Sequence, residues 1–259
     1  MQGRAIRRGG VATAVVAALL PALAGCGSSS SSSSQAATQA GTNTLPQSSE
    51  PSNLNPADFT TNVDNPYWPM PVGRAWRIHV SNPQGESLQE TIMVENQTKR
   101  IADGVTARVV RDVVYDHGKP TEITDDWYAQ DSQGNIWYFG EDTTSIDLKT
   151  GKRDSSGSFE AGKNGADAGI AMPAHPYVGL TYREEYYKGR AEDRSRVLAL
   201  DQQVEAPAGH FTGAVLTDDY SPIEPTVSEY KLYARGVGPV VAVSVSGESE
   251  REDLIAYTH

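Results

Sequence analysis

The stretch VGRAWR at 72–77 returns as VGLTYR at 178–183, an offset of 106 residues. IADG at 101–104 returns as APAG at 206–209, and DWYAQ at 126–130 as KLYAR at 231–235, both offset by 105. Three separate matches agree on one spacing, and the strand patterns between them fall in the same order. The chain reads as a tandem duplication, with copies over about 72–148 and 178–257 and a long connecting loop at 149–177. This constrains the fold strongly, because a meander of five or six strands has an apolar face that cannot be buried alone. Two copies can cover each other. The expectation is one pseudo-symmetric domain, built as a barrel, a half-barrel or two facing curved sheets, each with a concave interior.

The copies are β by period. AWRIHV alternates, LQETIMVE alternates more weakly, VTARVVRDVVYD and FTGAVLTDDY are β-branched runs, and GPVVAVSVSG alternates Val with smaller residues. AEDRSRVLALDQQVE has helical character but leads directly into the turn APAG and a β-branched run, so it reads as a strand. The fold class is all-β with antiparallel meanders. The first copy is entered by NPYWPMP and the second by MPAHPY, each a stiff extended lead carrying an aromatic. The 149–177 loop is longer than most connections in a compact domain and reads as a lid, a binding loop or a disordered excursion, with the apolar GIAMPAHPY at its end expected to fold back.

The first sixty residues do not share this pattern. Arg4, Arg7 and Arg8 precede the apolar VATAVVAALLPALAG, which has the length of an export signal and is interrupted by Pro21. The general secretory route is the default, since RRGGVA lacks the apolar residues that follow a twin-arginine pair. The signal ends in LAGC, which resembles the lipobox of bacterial lipoproteins, and Cys26 is the only cysteine in the chain. A lone cysteine makes no internal disulfide, whereas at a cleavage point it can carry a thioether-linked diacylglycerol and an amide-linked chain, enough for stable anchoring. Residues 1–25 are thus read as a lipoprotein signal peptide, 26–61 as lipidated Cys26 with a flexible Ser-rich tether, and 62–259 as a single all-β domain. The expected location is the extracytoplasmic side of a bacterial membrane or envelope.

Charge excludes some partners. The chain has 33 acidic and 22 basic residues, and loss of the three signal arginines moves the net charge from −11 to −14. Nucleic acid and anionic lipid surfaces both need clustered Lys and Arg, so neither is expected as a partner. No metal or cofactor is expected. Cys26 is lipidated, His79, His117, His175, His210 and His259 are scattered, and in DSQGN the glycine comes too early for a calcium loop closed on Asp131. No nucleophile elbow is present. Asp125-Asp126, Glu184-Glu185 and Glu192-Asp193 are adjacent in sequence, and strand neighbours point to opposite faces, so none is an evident acid–base pair. His175, between prolines in the long loop, is the best single candidate for a ligand or catalytic role.

DWYAQDSQGNIWYFGEDT, residues 126–143, holds five of the chain's 20 aromatics. A type I turn starting at Asp131 places Gly134 in the left-handed region and gives a three-residue hairpin loop. Ala129 then opposes Trp137 and Trp127 opposes Phe139 on one apolar face. Tyr128 opposes Tyr138 and Gln130 opposes Ile136 on the other, tyrosine-rich face. Asp131 is a turn residue in this register.

This hairpin, MPAHPYVGLTYREEYYKGRAED and YKLYARGVGPVV together resemble a family of secreted and lipid-anchored bacterial proteins without an established activity. The similarity runs over about 65–257 and implies no catalytic residue. The last of the three also has a weaker likeness to envelope proteins with an open half-barrel that hold or carry lipids, a likeness of fold only. The sequence therefore points to a non-enzymatic, lipid-anchored binding protein for an apolar or amphipathic ligand, with Tyr128, Trp137, Tyr138, Tyr186, Tyr187 and Tyr233 lining the concave wall. The alternative is a structural or interaction lipoprotein that recognises an envelope protein or wall polymer and has no internal ligand. The third reading is a hydrolase using the 149–177 loop.

Overall fold

The computed structural model describes residues 45–247 and 249–258. Cys26 and the signal lie outside them. After a single 3-10 turn at Pro56–Asp58 comes the short β1 (Phe59–Thr60). The first meander is β2 (Ala75–Ser81), β3 (Ser87–Arg100), β4 (Thr106–Asp116), β5 (Lys119–Asp131) and β6 (Ile136–Ile146). The connecting region forms β7 (Arg153–Asp154), β8 (Phe159–Glu160) and β9 (Asp167–Met172). The second meander follows as β10 (Thr181–Arg183), β11 (Glu185–Tyr186), β12 (Arg194–Ala206), β13 (Gly209–Ser221), β14 (Glu224–Ala234), β15 (Gly238–Ser246) and β16 (Arg251–Tyr257). The repeat is visible in the pairing order: β10, β12, β13, β14 and β15 follow one another as β2 to β6 do, with the short β11 added in the second copy.

These strands make a single 16-stranded antiparallel sheet among the described residues. On one side the copies join where β16 pairs with β2, Leu254 opposite Ile78. On the other side β10 pairs with β12 while β11 pairs with β9, and only Glu184 separates β10 from β11. The two ends of the sheet are thus covalent neighbours, and the sheet is nearly closed into a barrel. Gly169 permits the seam, since a Cβ there would lie 2.3 Å from the Glu184 carbonyl carbon.

The strands form because their apolar residues alternate. β2 buries Trp76, Ile78 and Val80, and β3 buries Leu88, Ile92 and Val94 on the same face. The space between the copies is filled from the lead into β2: the Trp68 ring lies 5.5 Å from that of Tyr128 on β5 and 5.7 Å from that of Tyr233 on β14. Gly238, at φ 109°, makes room for Trp68, because a Cβ there would sit 2.8 Å from the indole. A large aromatic buried this completely contributes on the order of 2–3 kcal/mol.

The structure departs from the sequence reading in three places. First, the 149–177 region is not a free loop. β7, β8 and β9 all pair with β6, and β9 is buried along Ala168–Met172. Second, residues 45–61, read as the end of the tether, are bound to the sheet. β1 pairs with β5, Phe59 opposite Asp131, and the buried Arg183 guanidinium donates to the Ser48 and Glu50 carbonyls, with the Glu50 bond 2.8 Å long. The physical cause is the β5–β6 hairpin, which is apolar on both faces. Tyr128, Ile136 and Tyr138 belong to the core between the copies, while Trp127, Ala129, Trp137 and Phe139 belong to a second cluster that Leu45, Leu54 and Phe59 cover. Phe59 meets Trp137 and Phe139 edge-on, with ring centroids 6.0 and 5.6 Å away.

Third, the hairpin register holds for Tyr128–Tyr138, Ala129–Trp137 and Gln130–Ile136, but Trp127 does not pair with Phe139. The next pair is Asp126–Glu141, so β6 carries one extra residue at a bulge. Gly140 occupies the bulge at φ 106°, where β8 runs so close that a Cβ would lie 2.3 Å from the Phe159 carbonyl oxygen. The bulge turns Glu141 to the side of Asp126 and Tyr138.

Candidate functional site

The hairpin turn is rigid, and Asp131 makes it so. Its Oδ1 accepts from the Gln133 and Asn135 amides, both at 2.9 Å. Its Oδ2 accepts from Asn135 Nδ2 and Trp137 Nε1, both at 2.8 Å. Its oxygens are occupied by the turn, in keeping with the structural role expected for it.

Beside this turn lies a cleft of about 470 Å³, lined by Asp64, Asn65, Pro66, Tyr67, Gln130, Gln133, Gly134, Ala174, His175, Pro176 and Arg235. Four segments meet there: the lead into β2, the β5–β6 turn, the segment after β9 and the β14–β15 turn. Buried amides lock them together. Gln130 Oε1 accepts from the Asp64 and Asn65 backbone amides at 2.9 Å each, and Gln130 Nε2 donates to Asp64 Oδ1 at 2.6 Å. Asn65 Nδ2 donates to the carbonyls of Gly134 at 2.9 Å and Pro173 at 3.2 Å. The Ala174 amide donates to Asn135 Oδ1 at 2.8 Å, and the Gly236 amide to the Pro66 carbonyl at 2.7 Å. Each of these buried amides bonds to another segment, so the floor of the cleft is fixed before any ligand arrives.

The groups that face outward are different. His175, Gln133 and Arg235 are exposed. The Arg235 guanidinium lies 4.8 Å from the Tyr67 ring centroid and donates to the Tyr67 hydroxyl at 3.2 Å. A cation stacked on a ring in this way keeps its remaining donors directed to solvent. His175, the loop histidine singled out in the sequence, is thus placed on a built surface. Asp64, Tyr67, Gln130 and Arg235 escaped the sequence reading. The one available signal was the repeat, because Gln130 and Arg235 occupy the same position in DWYAQ and KLYAR.

The aromatics expected to line a wall are placed in three settings. Tyr128, Tyr138 and Tyr233 are fully buried, and with Trp68, Phe159 and Tyr187 they form a continuous run of ring contacts across the core. Trp137 is on the opposite face of the hairpin, against Phe59. Tyr186 and Tyr187 are half-buried near the seam, under the guanidiniums of Arg183 and Arg190 at 5.7 and 4.7 Å. The tyrosine face of the hairpin therefore meets other side chains: Tyr138 donates to Asp126 Oδ1 at 2.8 Å and reaches Glu141 Oε2 at 3.4 Å.

The core also holds carboxylates. Burial pushes Asp126 up to about 7 and Asp193 up to about 6. Burial and the neighbouring acids hold Glu141, Glu184 and Glu185 well above the usual carboxylate range. In the second copy, burial disfavours the Lys231 cation, but Asp219 Oδ2 at 2.9 Å and Glu229 Oε2 at 3.1 Å outweigh it and keep the ammonium charged. These groups have the shifted affinities of acid–base catalysts; Asp126, Glu141, Glu184 and Glu185 are each no more than 6% exposed, whereas Asp193 is half-buried. Among the described residues no group of three or more His, Asp or Glu side chains is arranged to hold a metal ion.

No protein-family model matches the chain, and no curated protein matches it. Two solved structures are similar to it. A protein of YmcC-like fold from Bacteroides fragilis, described as exported, aligns at 16% identity over 74% of this chain and 98% of its own, with a TM-score of 0.44. A protein from Parabacteroides distasonis, described as a lipoprotein, aligns at 12% identity over the same shares, 74% and 98%, with a TM-score of 0.41. At these scores neither neighbour decides what the chain binds.

Proposed function

We propose that this chain is exported, anchored through Cys26, and acts as a non-enzymatic binding module that meets an envelope component at the cleft between the β5–β6 and β14–β15 turns. The export signal and lipobox support the location. The observation that carries the binding site is the contrast between a core packed with ring-to-ring contacts and a preformed surface cleft whose floor is locked by Asn65, Gln130 and Asn135. A rigid concave surface with a few exposed polar groups suits recognition at low ordering cost. The acids in the core do not line the cleft.

Two measurements on the mature chain with Cys26→Ser test this reading. Native mass spectrometry after purification without detergent should give the bare chain mass, and a retained stoichiometric lipid would transfer the site to the interior. Hydrogen exchange with soluble wall-polymer fragments should show new protection at 64–67, 130–135 and 173–176. Protection confined to other surfaces would overturn the cleft as the site.

A further inference from the structure

The cleft sits where the two copies meet, and its walls are paired by the repeat. Asn65-Pro66-Tyr67 precedes Val72-Gly73, as His175-Pro176-Tyr177 precedes Val178-Gly179, and Gln130 matches Arg235. All of Asn65, Pro66, Gln130, His175, Pro176 and Arg235 line the same cleft. The equivalent side chains do opposite things. In the first copy Asn65 and Gln130 are buried and spend their polar atoms on the backbone of the floor. In the second copy the equivalents are an imidazole and a guanidinium, both exposed. The duplication has left one copy to build the cleft and the other to present two nitrogen-rich groups at its opening.

On the reading of the cleft as a binding site, on which this inference rests, we infer that it takes an oxyanion, a phosphate or a carboxylate of an envelope component, held by Arg235 with His175 beside it. Arg235 supplies the planar donor fork that matches such a group and is already oriented over Tyr67. Gln133 adds an amide on the same wall. The one carboxylate in the cleft, Asp64, is exposed, and its Oδ1 is bound by Gln130 Nε2 at 2.6 Å. In a chain of net charge −11, a site that concentrates exposed donors is the place where an anion can approach.

The test titrates the mature chain carrying Cys26→Ser with three probes, followed by amide chemical shifts: a short glycerol-phosphate oligomer, a short galacturonate oligomer and a neutral N-acetylglucosamine oligomer. Binding of the phosphate or the uronate probe at 64–67, 130–135 and 173–176 is expected, and which of the two binds identifies the source of the anion. Arg235→Gln, which installs the residue the first copy already has, should weaken that binding at least tenfold, and His175→Gln several-fold, with the amide spectrum otherwise unchanged. The neutral probe binding at the cleft with an affinity indifferent to Arg235→Gln would overturn the oxyanion while leaving the cleft reading intact. If no probe shifts the cleft and no wall fragment protects it, the underlying reading fails as well.

Discussion

Asp126, Tyr128 and Gln130 on β5 hold the same places as Lys231 and Tyr233 on β14 and Arg235 just after it, and only the tyrosine is shared. Both tyrosines pack on Trp68, at 5.5 and 5.7 Å, so one indole completes two copies of the same contact. That indole comes from the lead into the first copy, where Trp68-Pro69-Met70-Pro71 separates the Pro-Tyr pair from Val-Gly; the second copy runs from Tyr177 directly to Val178. Beneath the tyrosines the copies solve the same problem in two ways. The second buries a cation between Asp219 and Glu229. The first buries Asp126 and Glu141 around the Tyr138 hydroxyl and raises their affinity for protons. A duplicated scaffold thus accommodates either a buried ion pair or a buried carboxyl at one position.

The largest effect should come from the residue both copies share. Trp68→Ala empties the space between Tyr128 and Tyr233 and should cost about 3–5 kcal/mol in urea unfolding, with loss of near-ultraviolet tyrosine dichroism from both hairpins. Lys231→Met strands the Asp219 and Glu229 carboxylates and should cost about 3–5 kcal/mol at pH 7. Asp126→Asn at the equivalent position leaves no charge behind and should be neutral or stabilising at pH 8. Equal losses from the two would mean that the copies do not differ as described.

The next effect is a pH dependence with a sign opposite to ordinary acid unfolding. Asp126 and Glu141 have folded-state affinities raised above their unfolded values, so the folded chain holds more protons between the unfolded carboxylate range and about pH 7. Their contribution is full below the unfolded value and is lost as pH rises through about 7. Unfolding free energy should therefore fall on the order of 2 kcal/mol from pH 5 to pH 8. The double variant Asp126→Asn, Glu141→Gln should reduce that slope, leaving the part that Glu184, Glu185 and Asp193 carry, while a slope unchanged by it would assign the protons elsewhere. The smallest effect belongs to the cleft. Arg235→Gln should change stability by less than about 0.5 kcal/mol, since Arg235 is exposed and its contacts with the Tyr67 ring and hydroxyl are at the surface.

The hairpin at 126–143 marks how far the residues alone could be read. The turn chemistry of Asp131 and Gly134 set the register from Tyr128–Tyr138 to the loop, because φ at Gly134 and the first-position aspartate admit one alignment. The same reading missed the bulge at Gly140, since one extra residue leaves the pattern of apolar side chains intact and shows itself only through the approach of β8. With the bulge went the inward turn of Glu141. The cleft was legible in part: His175 stood out, while Arg235 was hidden in KLYAR, whose repeat partner Gln130 is buried for a structural purpose.

The sequence by itself determined the β meanders and their duplication, because strand period and repeat spacing are local or strictly periodic; the export signal read up to Cys26 lies outside the described residues. Tertiary structure alone decided that 45–61 is bound to the sheet and that 149–177 completes it. Leu45, Leu54 and Phe59 have no period to announce them; they are held because a hairpin apolar on both faces leaves its second face to be covered. It also decided that the tyrosines fill the core. Which face of a strand meets a ligand, a neighbour or water is fixed by what packs across from it, and that information lies a hundred residues away in the chain.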